Sequence, residues 1–301
     1  MTRPPRLLAV PNVSEGTETP HIDSFRMGFA KDPVALLDEH TDPVHNRTVF
    51  TLAGSDAALL RALRDLACKA LEVIDITRQR GAHPRIGALD VCPIVWPSPD
   101  LRDDARETAF AVAEQLGSIG LPVFLYGELA SSPERRERSF FRRGGTPRLE
   151  ERMRSGELLP DLGPEWPHAT AGAVLVTARA PLAAFNVELA GASIEAGAEI
   201  AATVRESGGG LEGVRAIAID LGDGRTQIST NVHDPVAVPL RSVVAEIARL
   251  AAERDASAVS AELVGLVPEA ALDGYPGDVP IAGTDPRRRT IEARLSALDG
   301  R

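Results

Sequence analysis

Hydrophobic periodicity changes along this chain in the same order twice, and that repetition limits the architecture more than any single motif. In the first half, apolar residues run as a strand over 7–13 and take helical spacing over 19–30. They return to strands at 34–40 and 48–53, become helical again over 55–74 and finish as a strand over 86–96. The order is β-α-β-β-α-β, extended by a helix over 101–116 and a strand over 122–126. The second half repeats it: strand 182–189, helix 193–207, strands 214–221 and 226–232, helix 240–254 and strand 258–264. Gly-Asp-Gly at 222–224 is a hairpin signal, and Pro239 suits the first turn of a helix. Each half reads as a split βαβ unit of the ferredoxin-like kind, an α/β (α+β) fold with subdomains at 1–179 and 180–301. The cleft between two such subdomains is the default place for a ligand. A further helix is expected over 289–298.

A basic connector, 135–172, belongs to the first subdomain in this division. Within it, 135–154 carries eight arginines against three glutamates, in a chain whose net charge is -10. Its plain reading is a solvated helical connector with i,i+4 ion pairs; its functional reading is a cationic wall for a multiply anionic ligand. Across 141–172 the strand pattern lapses, but Trp166, Pro167 and His168 argue for a structured crossing. The chain's 31 arginines against two lysines read first as genome composition.

The acidic balance opposes whole-surface attraction to nucleic acid or an anionic membrane. The N-terminal apolar run is too short for a signal or spanning segment, so the cytoplasm is the default location. Cys68 and Cys92 lack CxxC spacing and read as reduced and at least partly buried. Six histidines, at 21, 40, 45, 83, 168 and 233, form no HxxxH or HExxH pair, so no metal is expected. Neither GxGxxG after a strand nor GxxxxGK[ST] occurs, which removes the usual supports for dinucleotide and nucleoside-triphosphate chemistry.

Three polar clusters remain. His83 lies in RQRGAHPRIGALDV, where Pro84 biases it to extended geometry and Arg85 and Asp90 are near in sequence. An imidazole there can both take and give a proton. The second cluster, LLDEHTDPVHNRTVF, spans a strand, a turn and a strand. Turn chemistry explains Asp42, but leaves Asn46 and Arg47 as candidates to contact a ligand. The third, VPNVSEG, puts Asn12, Ser14 and Glu15 between a strand and a helix, where capping or substrate binding would use the same residue types.

The segments VPNVSEG, HNRTVFTLAG, GAHPRIGALDVCPIV, LPVFLYGE, DLGPEWPHATAGAVLVTAR and AFNVELAG together resemble the formiminotransferase family, over about 7–268. The resemblance implies two α/β subdomains with a folate channel between them. It implies an enzyme, a one-carbon transferase of histidine degradation, that moves a formimino group from N-formimino-L-glutamate to tetrahydrofolate. His83 matches the family's catalytic histidine. Gly163, Pro164, Glu165, Trp166, Pro167, His168, Ala169, Thr170, Ala171 and Gly172 match its folate-contacting segment. Asn12, Asn46, Arg47, Arg85 and Asp90 are then the expected substrate contacts, and the basic connector a candidate for a folate tail, polyglutamylated or not.

In animal members an aspartate that orients the catalytic histidine falls where this chain has His40, with Asp38 and Asp42 as neighbouring substitutes. A homodimer is compatible with the resemblance, and a separate cyclodeaminase is expected to act on the product. The same pattern would also serve another folate enzyme, acting for example on 5-formyltetrahydrofolate, or a non-catalytic folate binder.

Overall fold

The computed structural model describes residues 6–31, 33–82, 84–222, 224–283 and 285–299. His83 lies outside the described residues, as does Asp223 of the expected hairpin. The chain divides into one compact unit that ends at Ala180 and a second that begins at Pro181.

In the first unit, β1 (Leu7–Ala9) and β2 (Asn12–Val13) lead to α1 (Thr19–Phe29), β3 (Ala35–Asp42), β4 (Arg47–Gly54), α2 (Asp56–Val73) and β5 (Leu89–Val95). Then follow α3 (Arg102–Ser118), β6 (Val123–Leu125), the short α4 (Arg138–Arg142), α5 (Gly145–Arg154) and β7 (Val174–Arg179). β1 and β2 are one line interrupted at Pro11: the register Ala9↔Leu52 continues without slip as Asn12↔Val49. Across the sheet the order is β3, β4, β1/β2, β5, β7, β6, with β5, β7 and β6 parallel.

Alternation along the strands separates two faces. Phe50 and Leu52 of β4, Cys92 and Ile94 of β5, and Val174 and Val176 of β7 join Phe25, Leu59, Leu63 and Val112 of α1–α3 in one core. On the other face Val91, Phe124 and Leu175 pack with Phe141, Leu149 and Met153 from α4 and α5.

The second unit has β8 (Ala183–Ala190), α6 (Ile194–Val204), β9 (Val214–Gly222), β10 (Arg225–Val232), α7 (Leu240–Ala252) and β11 (Ser257–Leu263), with α8 (Ile291–Asp299) toward its end. Its sheet is antiparallel in the order β11, β8, β10, β9. Phe185, Val187 and Ile228 form its core with Ile200, Val244 and Ile247. One helix in each unit starts alike after a strand: Ser55 caps α2 through Ala58 N and Ser193 caps α6 through Ala196 N.

Two readings of the sequence are corrected. No strand is expected over 174–179, yet those residues form β7, inserted between β5 and β6. Five of its six residues are buried, so the alternation that marks a half-buried strand is missing. Helices α4 and α5 fall within 135–154, the stretch read as a helical connector, and α5 lies inside the lapse over 141–172. Cys68 is exposed while Cys92 is buried, because Ala67 and Ala70 occupy the inward face of α2 at that turn. Among the described residues, no helix is long and apolar enough to cross a membrane.

A backbone crossing ties the segment before β5 to the segment before β7. Ala88 N donates to Ala171 O (2.9 Å) and Ala173 N to Ile86 O (3.0 Å). A Cβ at Gly87 would collide with the Ala173 carbonyl, and one at Gly172, whose φ is +65°, with that of Ile86. Gly172→Ala is therefore expected to destabilise the protein by roughly 2–4 kcal/mol, read as a lower urea midpoint with an unchanged slope.

Candidate functional site

The site is built where the ends of β2, β3, β4 and β5 meet. The turn between β3 and β4 holds Asn46 at φ +47°, a left-handed conformation that costs any residue with a Cβ. Its side chain offsets the cost by joining two loops: Oδ1 accepts Gly16 N (2.8 Å), while Nδ2 donates to Arg80 O (2.8 Å) and to Gln79 Oε1. Ala82 N donates to Val44 O (3.1 Å), and Arg85 donates to His45 O (3.0 Å). The residues on either side of position 83 are thus fixed to the turn. Asn46 was expected to meet a ligand; its amide is spent on the protein, which makes it a clamp.

Asp42 accepts His45 N at 2.9 Å, and its carboxylate also pairs with the His45 ring at Nδ1. Burial opposes ionisation of Asp42, but the His45 ring and N–H, with the charge of His40, hold its carboxyl below the usual range. Of the two carboxylates that could stand in for the missing aspartate, Asp42 already has a histidine partner.

Glu15 is 1% exposed. Its Oε1 accepts Thr17 N and Glu18 N (both 3.0 Å) and its Oε2 meets His21 Nδ1 (3.1 Å), so it closes the start of α1. Burial works against the charge, yet those N–H groups and the His21 and Thr17 side chains hold the carboxyl below its ordinary value. Ser14 Oγ donates to Gly87 O (2.7 Å), tying this loop to the crossing. Asn12 is buried on β2 and donates to Val10 O (2.9 Å).

Asp90 sits at a β-bulge. Asn12 pairs with Val91 but Val13 pairs with Leu89, which leaves Asp90 as the extra residue. A bulge re-aims a side chain. Here one carboxylate oxygen accepts Ile86 N (2.7 Å) and the other pairs with Arg142 of α4. Ser14, His45, Asn46, Arg47, Arg85 and Asp90 line a narrow cleft. Burial pushes the Arg47 guanidinium down to about 10, with Arg142 and Arg138 acting in the same direction. Burial also lowers Arg85.

The basic connector divides. Arg135 pairs with Asp161 (2.6 Å) over the rings of Phe124 and Phe141; Arg152 pairs with Glu157 (2.7 Å); Arg148 pairs with Glu151 (2.7 Å). Of these only Arg148 with Glu151 lies within one helix, and the i,i+4 pair of the plain reading is Arg154 with Glu150; Arg135 and Arg152 instead reach acidic residues outside the helices. Arg142 and Arg138 turn toward the sheet, and composition alone could not have singled them out. The segment 163–172 closes on itself through His168 N and O with Gly172 O and N (2.8 Å each), and Thr170 O accepts Ile76 N (2.8 Å). Trp166 stands 56% exposed within it. The crossing therefore brings the end of 163–172 beside the residues that follow position 83.

Comparisons with known proteins agree along the chain. A model described as the formiminotransferase domain, N-terminal subdomain, matches residues 6–179, and the formiminotransferase domain model matches 184–274. The chain is 37% identical over 266 residues to glutamate formimidoyltransferase of Streptococcus pyogenes serotype M1, covering 87% of this chain and 89% of that protein. It is 37% identical over 273 residues to the Thermoplasma acidophilum glutamate formimidoyltransferase, covering 87% and 88%. The Sus scrofa formimidoyltransferase-cyclodeaminase is 36% identical over 272 residues, and the chain covers 50% of it.

Two outcomes follow from the clamp and the buried carboxylates. Asn46→Gly relieves the backbone and removes only the side chain, so amide exchange at Gly16 should accelerate at least about tenfold; unchanged exchange would contradict the clamp. Glu15 and Asp42 hold their protons less tightly folded than unfolded, so their stabilisation is full above the unfolded carboxylate range of about 4 and is lost as pH falls through the lower folded values. The thermal midpoint should drop below about pH 4, and Glu15→Gln and Asp42→Asn should each flatten that drop.

Proposed function

The chain belongs to the formiminotransferase family, and on that premise we propose that it is a glutamate formimidoyltransferase, moving the formimino group of N-formimino-L-glutamate to tetrahydrofolate and releasing L-glutamate and 5-formiminotetrahydrofolate. The observation that carries this reading is the 37% identity to a stand-alone relative over 89% of that relative's length.

Tetrahydrofolate, when bound, supplies N5 as the nucleophile. The chain's residues suit such a ligand: Trp166 offers an exposed aromatic face in the segment 163–172, and arginines for the glutamyl carboxylates lie on the same unit. His83 is proposed to take the proton from the attacking nitrogen and return it to the departing glutamate nitrogen, two transfers one imidazole can make in sequence. The residues flanking it support that role. Ala82 N donates to Val44 O and Arg85 donates to His45 O, so both flanks of position 83 are tied to the turn between β3 and β4. Arg85 and Arg47 would supply positive charge for the substrate's carboxylates. Asp90 acts at one remove, by holding Arg142 and the Ile86 amide.

The test is turnover with N-formimino-L-glutamate and tetrahydrofolate, followed optically. The wild type should form product and His83→Ala should lose about 10²–10⁴-fold in kcat. Equal turnover in both would remove His83 from the mechanism. Folate binding without any turnover would favour a different folate activity.

A further inference from the structure

Phe50 and Leu52 place the even positions of β4 on the face covered by α1–α3, which sends Arg47 to the opposite face. That opposite face is where α4 packs, fixed by Phe141 against Phe124 (ring centroids 5.1 Å apart) and by Arg142 on the bulged Asp90. Arg138 lies one helical turn before Arg142, so the two project from the same side of α4. Asp90 occupies Arg142. The other carboxylates near the cleft are also engaged, Asp42 by His45 and Glu15 by His21 and backbone amides.

Arg47 and Arg138 are left over. Among the described residues neither makes an ion pair, and Arg47 Nε is buried without a hydrogen-bond partner. Both keep some exposed surface, yet burial lowers both guanidinium groups, and Arg142 pushes each the same way. Accessible surface together with deep burial describes the wall of a concavity. Two like charges held there weaken the fold unless an anion joins them.

We infer that Arg47 and Arg138 together receive the two carboxylates of a glutamyl group, so that this face of the first unit selects dicarboxylates over monocarboxylates. Each guanidinium presents a planar fork that matches one carboxylate bidentately. Two forks from separate elements, a strand start and a helix, fit two linked carboxylates better than one compact anion. The choice of a glutamyl group rests on the transferase reading above; the dianion site does not. Both the formimino donor and the end of folate offer that chemistry.

The experiment is calorimetric titration of the full chain, without folate, using glutarate, L-glutamate and butyrate. Glutarate and L-glutamate should bind, with butyrate at least about tenfold weaker because one fork is left empty. Arg47→Gln and Arg138→Gln should each weaken glutarate at least about tenfold, whereas Arg143→Gln, an exposed neighbour at the end of α4, should not. The ligand-free thermal midpoint of Arg138→Gln should equal or exceed that of the wild type, since repulsion has been removed; this separates a lost site from a lost fold. Displacement of glutarate by folate but not by pteroate, which lacks the glutamyl group, would assign the pair to folate's tail; displacement by neither would assign it to the donor.

Butyrate binding as tightly as glutarate, or Arg143→Gln costing as much as Arg138→Gln, would overturn the proposal. Glutarate binding in a protein without transferase turnover would sink the proposed function and leave the site standing. Turnover without glutarate selectivity would do the reverse.

Discussion

The ion pair between Asp90 and Arg142 is the interaction on which the candidate site of the first unit depends. Both side chains are nearly excluded from solvent, at 3% and 11% exposure. Removing one partner of such a pair leaves an uncompensated buried charge, typically about 3–5 kcal/mol. Three features meet at it: the bulge in β5, the backbone amide of Ile86, and α4. The pair therefore fixes where α4 lies on the sheet and, through the helix, where Arg138 points.

Around that pair the backbone is held by contacts that leave little room for adjustment. Carbonyl and amide groups of 86–88 and 171–173 interlock with no side chain between them, which only glycine at 87 and 172 permits. The Asn46 amide pins Gly16 on one side and the 79–80 loop on the other. A site whose loops are fastened to strand ends in this way is positioned before any ligand arrives, and positioning is a large share of what a two-substrate transfer requires.

The second unit shows what the scaffold does without those residues. Its last strand, β11, carries a bulge against β8 just as β5 does against β2, with Val259 as the unpaired residue. Where the first unit directs a carboxylate inward, the second leaves a valine 41% exposed. The same backbone irregularity aims a buried carboxylate in one unit and an exposed apolar side chain in the other.

The β-α-β-β-α-β order in both units was legible in the sequence, because periods of two and 3.6 residues are properties of neighbours along the chain. The hairpin between β9 and β10 is local in the same sense. The site was legible only as a set of polar clusters. Asn46 and Asp90 stood out by residue type, but that one is a clamp and the other the anchor of a helix follows from pairings between residues 34 and 52 positions apart. The connector's eight arginines looked alike, and the packing of Phe141 on Phe124 together with the Asp90–Arg142 pair decided which faced inward. β7 escaped notice because a strand buried on both faces shows no alternation. Sequence determined which elements form, since their signals are short-range; tertiary structure decided register, the bulge and the charge pairs, since these exist only once distant strands have met.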